Sequence, residues 1–348
     1  MIDGYKIAFF GCKHTTMECM DYFIRNIGQI DYLITISLKS ATKAQVAGYM
    51  NLKLFAKKNN IKIYYADKYS LKSENDYQYI KNNKIDIAFV MGWQRLIPPK
   101  FLDLVKFGFL GMHGSADDLP KGRGRSPMNW ALITGRDVFY TNLFKYDATI
   151  DGGGIIGTKK FQINDYDTIE TLHYKNTLAM CQLIEELLSK ILNNEITLEI
   201  QDENKATYFP KRNPQDGAID WTLTNYHLRN FTRALTKPFP GAFSFINDEK
   251  IIIWQLFPFI NNNNSNNILP GTIISVFANN KFSVKTGDGI VIIDDYNIKN
   301  KDYIKIGVTL KSISFTKIYA EIEQRYGSAI NKNSQKEITL NKIKKFYR

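Results

Sequence analysis

Cysteine is scarce: Cys12, Cys19 and Cys181 are the only three in 348 residues. They form neither an even-numbered disulfide framework nor a C-x-x-C pair, so reduced cytosolic thiols are expected. The four histidines are scattered, which argues against a His-rich zinc site, and no metal is expected. No apolar run reaches the roughly 18 residues of a membrane span. The N-terminal residues lead straight into KIAFFG with no signal peptide, so a cytoplasmic location is expected. The turn after that strand lacks G-x-G-x-x-G, which argues against a dinucleotide cofactor.

What is present suits a globular protein with two domains: 44% of residues are hydrophobic. The formal charge of +12 permits an acidic partner such as a nucleotide or nucleic acid. The charge is diffuse or sits in the tail, so nucleic acid is not the favoured partner. Strands are expected at Lys6–Gly11, Tyr32–Ser37, Ile61–Tyr65, Ile85–Met91 and Val105–Met112, with helical spacing over Val46–Lys58. This alternation predicts an α/β fold with a doubly wound sheet. A helix is expected to start at Pro127, a strand to fill Val138–Tyr146, and a long helix to fill Asp167–Leu192, capped by Asp167. A shorter helix over Ile219–Thr236 and five short runs between Ala242 and Ile293 then predict a small β-domain. The Asn261–Asn267 stretch reads as a surface loop, and the Lys-rich end as a partly disordered basic tail. The expected division is residues 1–200 catalytic, 201–218 linker, 219–330 β-domain and 331–348 tail.

The chemistry concentrates in Gly108–Gly157. The strand ending near Met112 is expected to deliver His113 into a loop rich in Gly, Pro and Arg. The next strand leads to Asp151 in a glycine-rich turn, so a His and an Asp can meet beyond the strand ends. A carboxylate on one ring nitrogen fixes the imidazole tautomer and raises the basicity of the other nitrogen. Such a pair can take a proton from an amine attacking a carbonyl. No Ser occupies a nucleophile elbow and no Cys is near in sequence, so direct transfer fits better than a covalent intermediate. Asp117 and Asp118 are paired carboxylates that read best as an exposed loop. Lys121, Arg123 and Arg125 read equally as a solvated turn or as phosphate ligands. Gly92-Trp93-Gln94-Arg95-Leu96-Ile97-Pro98 ends another strand, where main-chain groups can read a flat heterocycle.

H-G-S…L-P…R-G…P from His113 to Pro127, with IDGGGII at Ile150–Ile156, resembles the folate-dependent formyltransferases. PKRNPQDGAIDW (Pro210–Trp221) and RALTKPFPGAF (Arg233–Phe243) extend the resemblance, which covers roughly Lys6 to Tyr303. It implies a Rossmann-like catalytic domain followed by a small C-terminal, OB-like β-domain, with 10-formyltetrahydrofolate as donor. His113 and Asp151 match two members of the family's Asn–His–Asp set. Trp93, Gln94, Arg95, Leu96 and Ile97, with Tyr146 and Asp147, match segments that hold the pterin, largely through main-chain atoms.

The family's Asn stands two residues before the His, where this chain has Gly111. Losing one such oxyanion donor costs about 2.7–4 kcal/mol. Protonated His113, a backbone N–H of Gly111–Ser115, and Asn129 are the candidate replacements. GWQRLIP, GMHGS and GRGRSPMNW look like the branch acting on nucleotide-linked amino sugars. The implied partner is then such a sugar, with its diphosphate on Lys121, Arg123, Arg125 and Arg233, and with Tyr49, Asn129 and Trp93 as further contacts. A methionyl-tRNA formyltransferase is the alternative within this chemistry, and a folate or nucleotide-sugar binder without turnover is the alternative outside it. The β-domain and the tail offer surfaces for a homodimer.

Overall fold

A computed structural model describes residues 4–46, 48–259 and 267–333, with side chains as far as Arg325. In chain order the elements are β1 (Ile7–Phe10), α1 (His14–Asn26), β2 (Tyr32–Thr35), α2 (Leu38–Lys43), α3 (Lys53–Lys58), β3 (Lys62–Tyr65), α4 (Glu74–Asn83), β4 (Ile87–Val90), α5 (Pro99–Leu102) and β5 (Phe109–Ser115). There follow β6 (Arg123–Gly124), α6 (Pro127–Ile133), β7 (Val138–Lys145), β8 (Ile155–Gln162), α7 (Ile169–Leu192), β9 (Tyr208–Phe209) and α8 (Asn225–Leu235). The last are β10 (Ala242–Ile246), β11 (Glu249–Pro258), β12 (Ile273–Val276), β13 (Phe282–Lys285), β14 (Ile290–Asn297) and α9 (Phe315–Asn333).

The chain forms two compact units. The first holds the described residues of Met1–Ser115, Tyr140–Phe161 and Tyr174–Lys205; the second holds those of Ala116–Phe139, Gln162–His173 and Ala206–Arg348. Two excursions of the N-terminal half, 116–139 and 162–173, therefore belong with the C-terminal half.

The first unit is built on a seven-stranded sheet in the order β3-β2-β1-β4-β5-β7-β8. The strands from β3 to β5 pair in parallel, and β7 is antiparallel to β5. Strands β1, β2 and β4 are four-residue runs buried throughout, as a parallel sheet covered on both faces requires. One face carries a core of Phe9, Phe23, Leu33, Phe89 and Leu183; the other carries Phe10, Ile34, Trp93, Phe101 and Phe109. Helix α1 meets its face through Thr16, Cys19, Met20 and Phe23, a spacing of three and four residues that aligns one helical stripe. Burying a side chain such as Phe23 contributes about 2 kcal/mol.

The predicted helix over Val46–Lys58 forms only at Lys53–Lys58. Gln45 at φ 48° and Gly48 at φ 69° are left-handed, which breaks the helical path before α3. A helix not read from the sequence, α2, precedes this break, with Ser37 Oγ accepting from Ser40 N at its start.

In the second unit, β10–β14 form an antiparallel sheet in the order β10-β11-β14-β13-β12. A two-stranded parallel ladder joins β6 to β9, with Arg123 beside Tyr208. Pro127 stands at the first turn of α6, as expected. The helix expected over Ile219–Thr236 is α8, eleven residues capped by Thr224. The Asn261–Asn267 stretch, except Asn267, and residues 334–348 of the tail lie outside the described residues.

Candidate functional site

His113 is held in strand β5, not in the loop expected from the sequence. It pairs with Asn142 of β7 in the antiparallel ladder, and Asn142 Nδ2 donates to the His113 carbonyl at 3.2 Å. The sequence predicts a strand ending near Met112, with Gly114 after His113, but pairing with β7 keeps the segment extended through Ser115. The side chain is 9% exposed, and His113 Nδ1 lies 3.6 Å from Asp151 Oδ2. That is an ion-pair distance.

Asp151 reaches His113 by a different route from the one predicted. Because β7 is antiparallel, its last residue, Lys145, pairs with Leu110 near the start of β5. The connection from 146 to 154 must return about 10 Å along β5, three residues at about 3.3 Å each, to reach His113. Three features allow the return. Asp151 takes a left-handed φ of 52°. Gly153 passes so close to the Lys145 carbonyl that a Cβ would sit 1.8 Å from the oxygen. Gln201, 7% exposed, donates from Nε2 to the carbonyls of Asp151 (2.9 Å) and Gly153 (2.7 Å). Gln201 carried no signal in sequence, since it lies fifty residues from the turn it clamps.

The loop after β4 is organised by Tyr69, another residue the sequence did not mark. Its hydroxyl accepts from Gln94 N at 2.9 Å, and its ring meets Trp93 edge to face at 4.8 Å and carries the Arg95 guanidinium at 4.8 Å. Burial raises the Tyr69 phenol pKa, so the hydroxyl stays neutral. Trp93 and Ile97 are buried, whereas Gln94, Arg95 and Leu96 are exposed. Trp93 Nε1 is buried without a hydrogen-bond partner among the described residues. Tyr49 is half-buried and donates its hydroxyl to the Ile36 carbonyl at 3.2 Å. Cys12 lies nearby, its thiol against Tyr69 and the Gly92 carbonyl. Burial pushes the Cys12 pKa up, away from a thiolate nucleophile.

Tyr146 and Asp147 open the returning loop. Asp147 Oδ1 accepts from Thr149 N at 2.7 Å, closing a tight turn on the surface. Tyr146 is half-buried and packs on Phe144 with ring centroids 5.1 Å apart.

The other predicted residues belong to the second unit. Arg123 is fully buried, with Nη1 donating to the Tyr208 hydroxyl at 3.0 Å, so its side chain is part of the core of that unit. Lys121 and Arg125 are exposed. Asn129 is 5% exposed and its Nδ2 donates to the Ala234 carbonyl at 2.7 Å, joining α6 to α8. Arg233 donates to the carbonyls of Asn164 (2.7 Å) and Asp167 (3.1 Å). Asp117, read as solvated, pairs with Arg136 at 3.1 Å. Among the described residues, no group of His, Cys, Asp and Glu could hold a metal ion, and no helix is long and apolar enough to cross a membrane.

A curated relative, the bifunctional polymyxin resistance protein ArnA of Wigglesworthia glossinidia brevipalpis, is 38% identical over 177 residues. The match covers 51% of this chain, which spans only 27% of that relative's length. Among solved structures, an N-formyltransferase from Helicobacter canadensis, in complex with folinic acid and dTDP-3-aminofucose, has a TM-score of 0.60 at 20% identity. That likeness covers 84% of this chain and 100% of the other. A 4-N formyltransferase from Francisella tularensis has a TM-score of 0.54 at 21% identity, covering 70% and 93%. The fold is thus shared with these enzymes. The formyl transferase description matches residues 6–185, which contain the whole His113–Asp151 arrangement, and the formyl transferase C-terminal domain matches residues 211–314. With more than half its length matched, the chain belongs to the formyl transferase family.

Proposed function

We propose that the protein moves a formyl group from 10-formyltetrahydrofolate to the amine of a nucleotide-linked amino-dideoxy sugar. The observation that carries this reading is the buried His113 with Asp151 at 3.6 Å from Nδ1. Asp151 orients the ring and stabilises its charged form, leaving Nε2 to accept the proton of an attacking amine. His113 then returns that proton to the departing nitrogen. The buried, neutral Cys12 supports direct transfer without an enzyme-bound acyl group.

The loop after β4 fits a folate. Trp93 Nε1 is a buried donor with no partner among the described residues, and exposed Gln94, Arg95 and Leu96 surround main-chain groups able to read a flat ring. Trp93–Ile97, Tyr146 and Asp147 would hold the donor, whose contribution when bound is an electrophilic formyl carbon. Support for a nucleotide sugar as acceptor comes from the motifs of the sugar branch. It also comes from the dTDP-3-aminofucose bound by the Helicobacter canadensis enzyme. Lys121 and Arg125, marked by the sequence for a diphosphate, are exposed in their own unit, and Arg123 and Arg233 make hydrogen bonds within that unit.

The test is incubation with 10-formyltetrahydrofolate and a panel of dTDP- and UDP-linked 3-amino and 4-amino sugars, read by mass spectrometry. Formylation of one panel member, lost in His113→Ala, is expected. Formylation of methionyl-tRNA with every sugar left unmodified would reverse the acceptor assignment. Folate binding with no turnover on any acceptor would instead identify a binding protein.

A further inference from the structure

A formyl-transfer site needs a hydrogen-bond donor where the carbonyl oxygen gathers negative charge. The chain has glycine at 111, and the space beside that glycine is filled. A Cβ built on Gly111 would lie 2.2 Å from Cε2 and 3.0 Å from Cδ2 of Tyr146, and 2.9 Å from Cζ of Phe144. A tyrosine ring edge therefore stands where a side chain at 111 would begin.

The register shows where the ring leads. Gly111 pairs with Phe144 and His113 with Asn142, so residues 111, 113, 144 and 146 share one face of the sheet. The Tyr146 backbone N–H donates to the Phe109 carbonyl at 2.8 Å, which puts its Cα beside Phe109. Its ring covers Gly111, two residues further along β5, so the side chain extends toward His113. Cε2, the atom over Gly111, is bonded to the carbon that carries the hydroxyl. That hydroxyl makes no hydrogen bond among the described residues.

We infer that the Tyr146 hydroxyl, lying over Gly111 on the His113 face, donates the hydrogen bond to the formyl oxygen of the bound donor. This rests on the formyl-transfer reading above. Burial and the nearby Asp151 carboxylate both raise the Tyr146 pKa, which keeps the phenol protonated. Gly111 is then the residue that leaves room for the ring, and its replacement of the family's Asn is a change of donor rather than a loss of one.

The test compares wild type with Tyr146→Phe, which keeps the ring and removes the donor. Calorimetric titration with 5-formyltetrahydrofolate and with tetrahydrofolate gives the preference for the formylated ligand. Wild type is expected to prefer it, and Tyr146→Phe to narrow the preference by about threefold or more, as for one hydrogen bond. In turnover, kcat is expected to fall about a hundredfold with KM little changed. The double variant Gly111→Asn with Tyr146→Ala is expected to recover at least about tenfold in kcat over Tyr146→Ala alone, because it restores a donor. An unchanged folate preference together with kcat within about threefold of wild type would overturn the inference. A wild type that binds both folates but formylates no amino sugar removes the acceptor assignment only, and the folate preference still decides the role of Tyr146. A wild type that binds neither folate overturns both.

Discussion

Replacing Gln201 with Leu tests how the Asp151 turn is held. The side chain is 7% exposed and its single amide nitrogen serves two carbonyls, Asp151 at 2.9 Å and Gly153 at 2.7 Å. Leu has a similar volume, so the change removes the bonds without opening a large cavity. The two carbonyls differ in what they lose. Asp151 is half-buried, so its oxygen can bond to water and the loss is about 0.5–1 kcal/mol. Gly153 is buried, so its oxygen is left unsatisfied at a cost of about 1–3 kcal/mol. The sum is about 1.5–4 kcal/mol. For a unit of this size each kcal/mol lowers Tm by about 2–4 °C, giving an expected fall of about 3–16 °C by calorimetry. Because the turn carries Asp151, kcat for formyl transfer is expected to drop as well, while folate affinity holds. A variant with unchanged Tm and full kcat would refute the argument that Gln201 fixes the turn.

Further outcomes follow from the same geometry. His113→Ala is expected to lower kcat about 10²–10⁴-fold with folate binding retained, and Asp151→Asn to lower kcat without unfolding the protein, both read by steady-state assay and circular dichroism. Gly111→Ala puts a methyl group 2.2 Å from the Tyr146 ring, so it is expected to destabilise the protein in urea titration. The same change in a Tyr146→Ala background is expected to cost less, with only the 2.9 Å approach to Phe144 Cζ left to relieve. Asn129→Ala removes the bond to the Ala234 carbonyl, with an expected stability loss of about 1–2 kcal/mol and no loss of kcat. Tyr22 is hydrogen-bonded to Glu185, which pushes its pKa up to about 12. A raised pKa stabilises the fold fully below the ordinary tyrosine value near 10. That contribution is lost as pH rises from about 10 through about 12, and Tyr22→Phe is expected to flatten the change when Tm is measured across that range.

Much of the fold is written in local pattern. The buried runs of β1, β2 and β4, the stripe of α1 and the proline opening α6 are short-range signals, and each element lies where its period of burial places it. The motif residues around His113 and Asp151 were legible in the same way, as residue types at fixed spacing. Other features depend on partners far away in the chain. The residues from His113 on read as a loop rich in Gly, Pro and Arg, yet pairing with β7 keeps 113–115 in the strand. Arg123 read as a ligand for phosphate, yet the hydroxyl of Tyr208, 85 residues on, gives its guanidinium a buried partner. Gln201 had no motif to announce it, because a glutamine clamping two carbonyls looks like any other glutamine. Tyr146 had a place in the loop after β7 but no visible relation to Gly111, since that relation comes from register across an antiparallel pair. A sequence reports the period at which each segment must be buried. It does not report which distant segment fills a vacant position or satisfies a buried polar group, because those contacts exist only after the strands have paired.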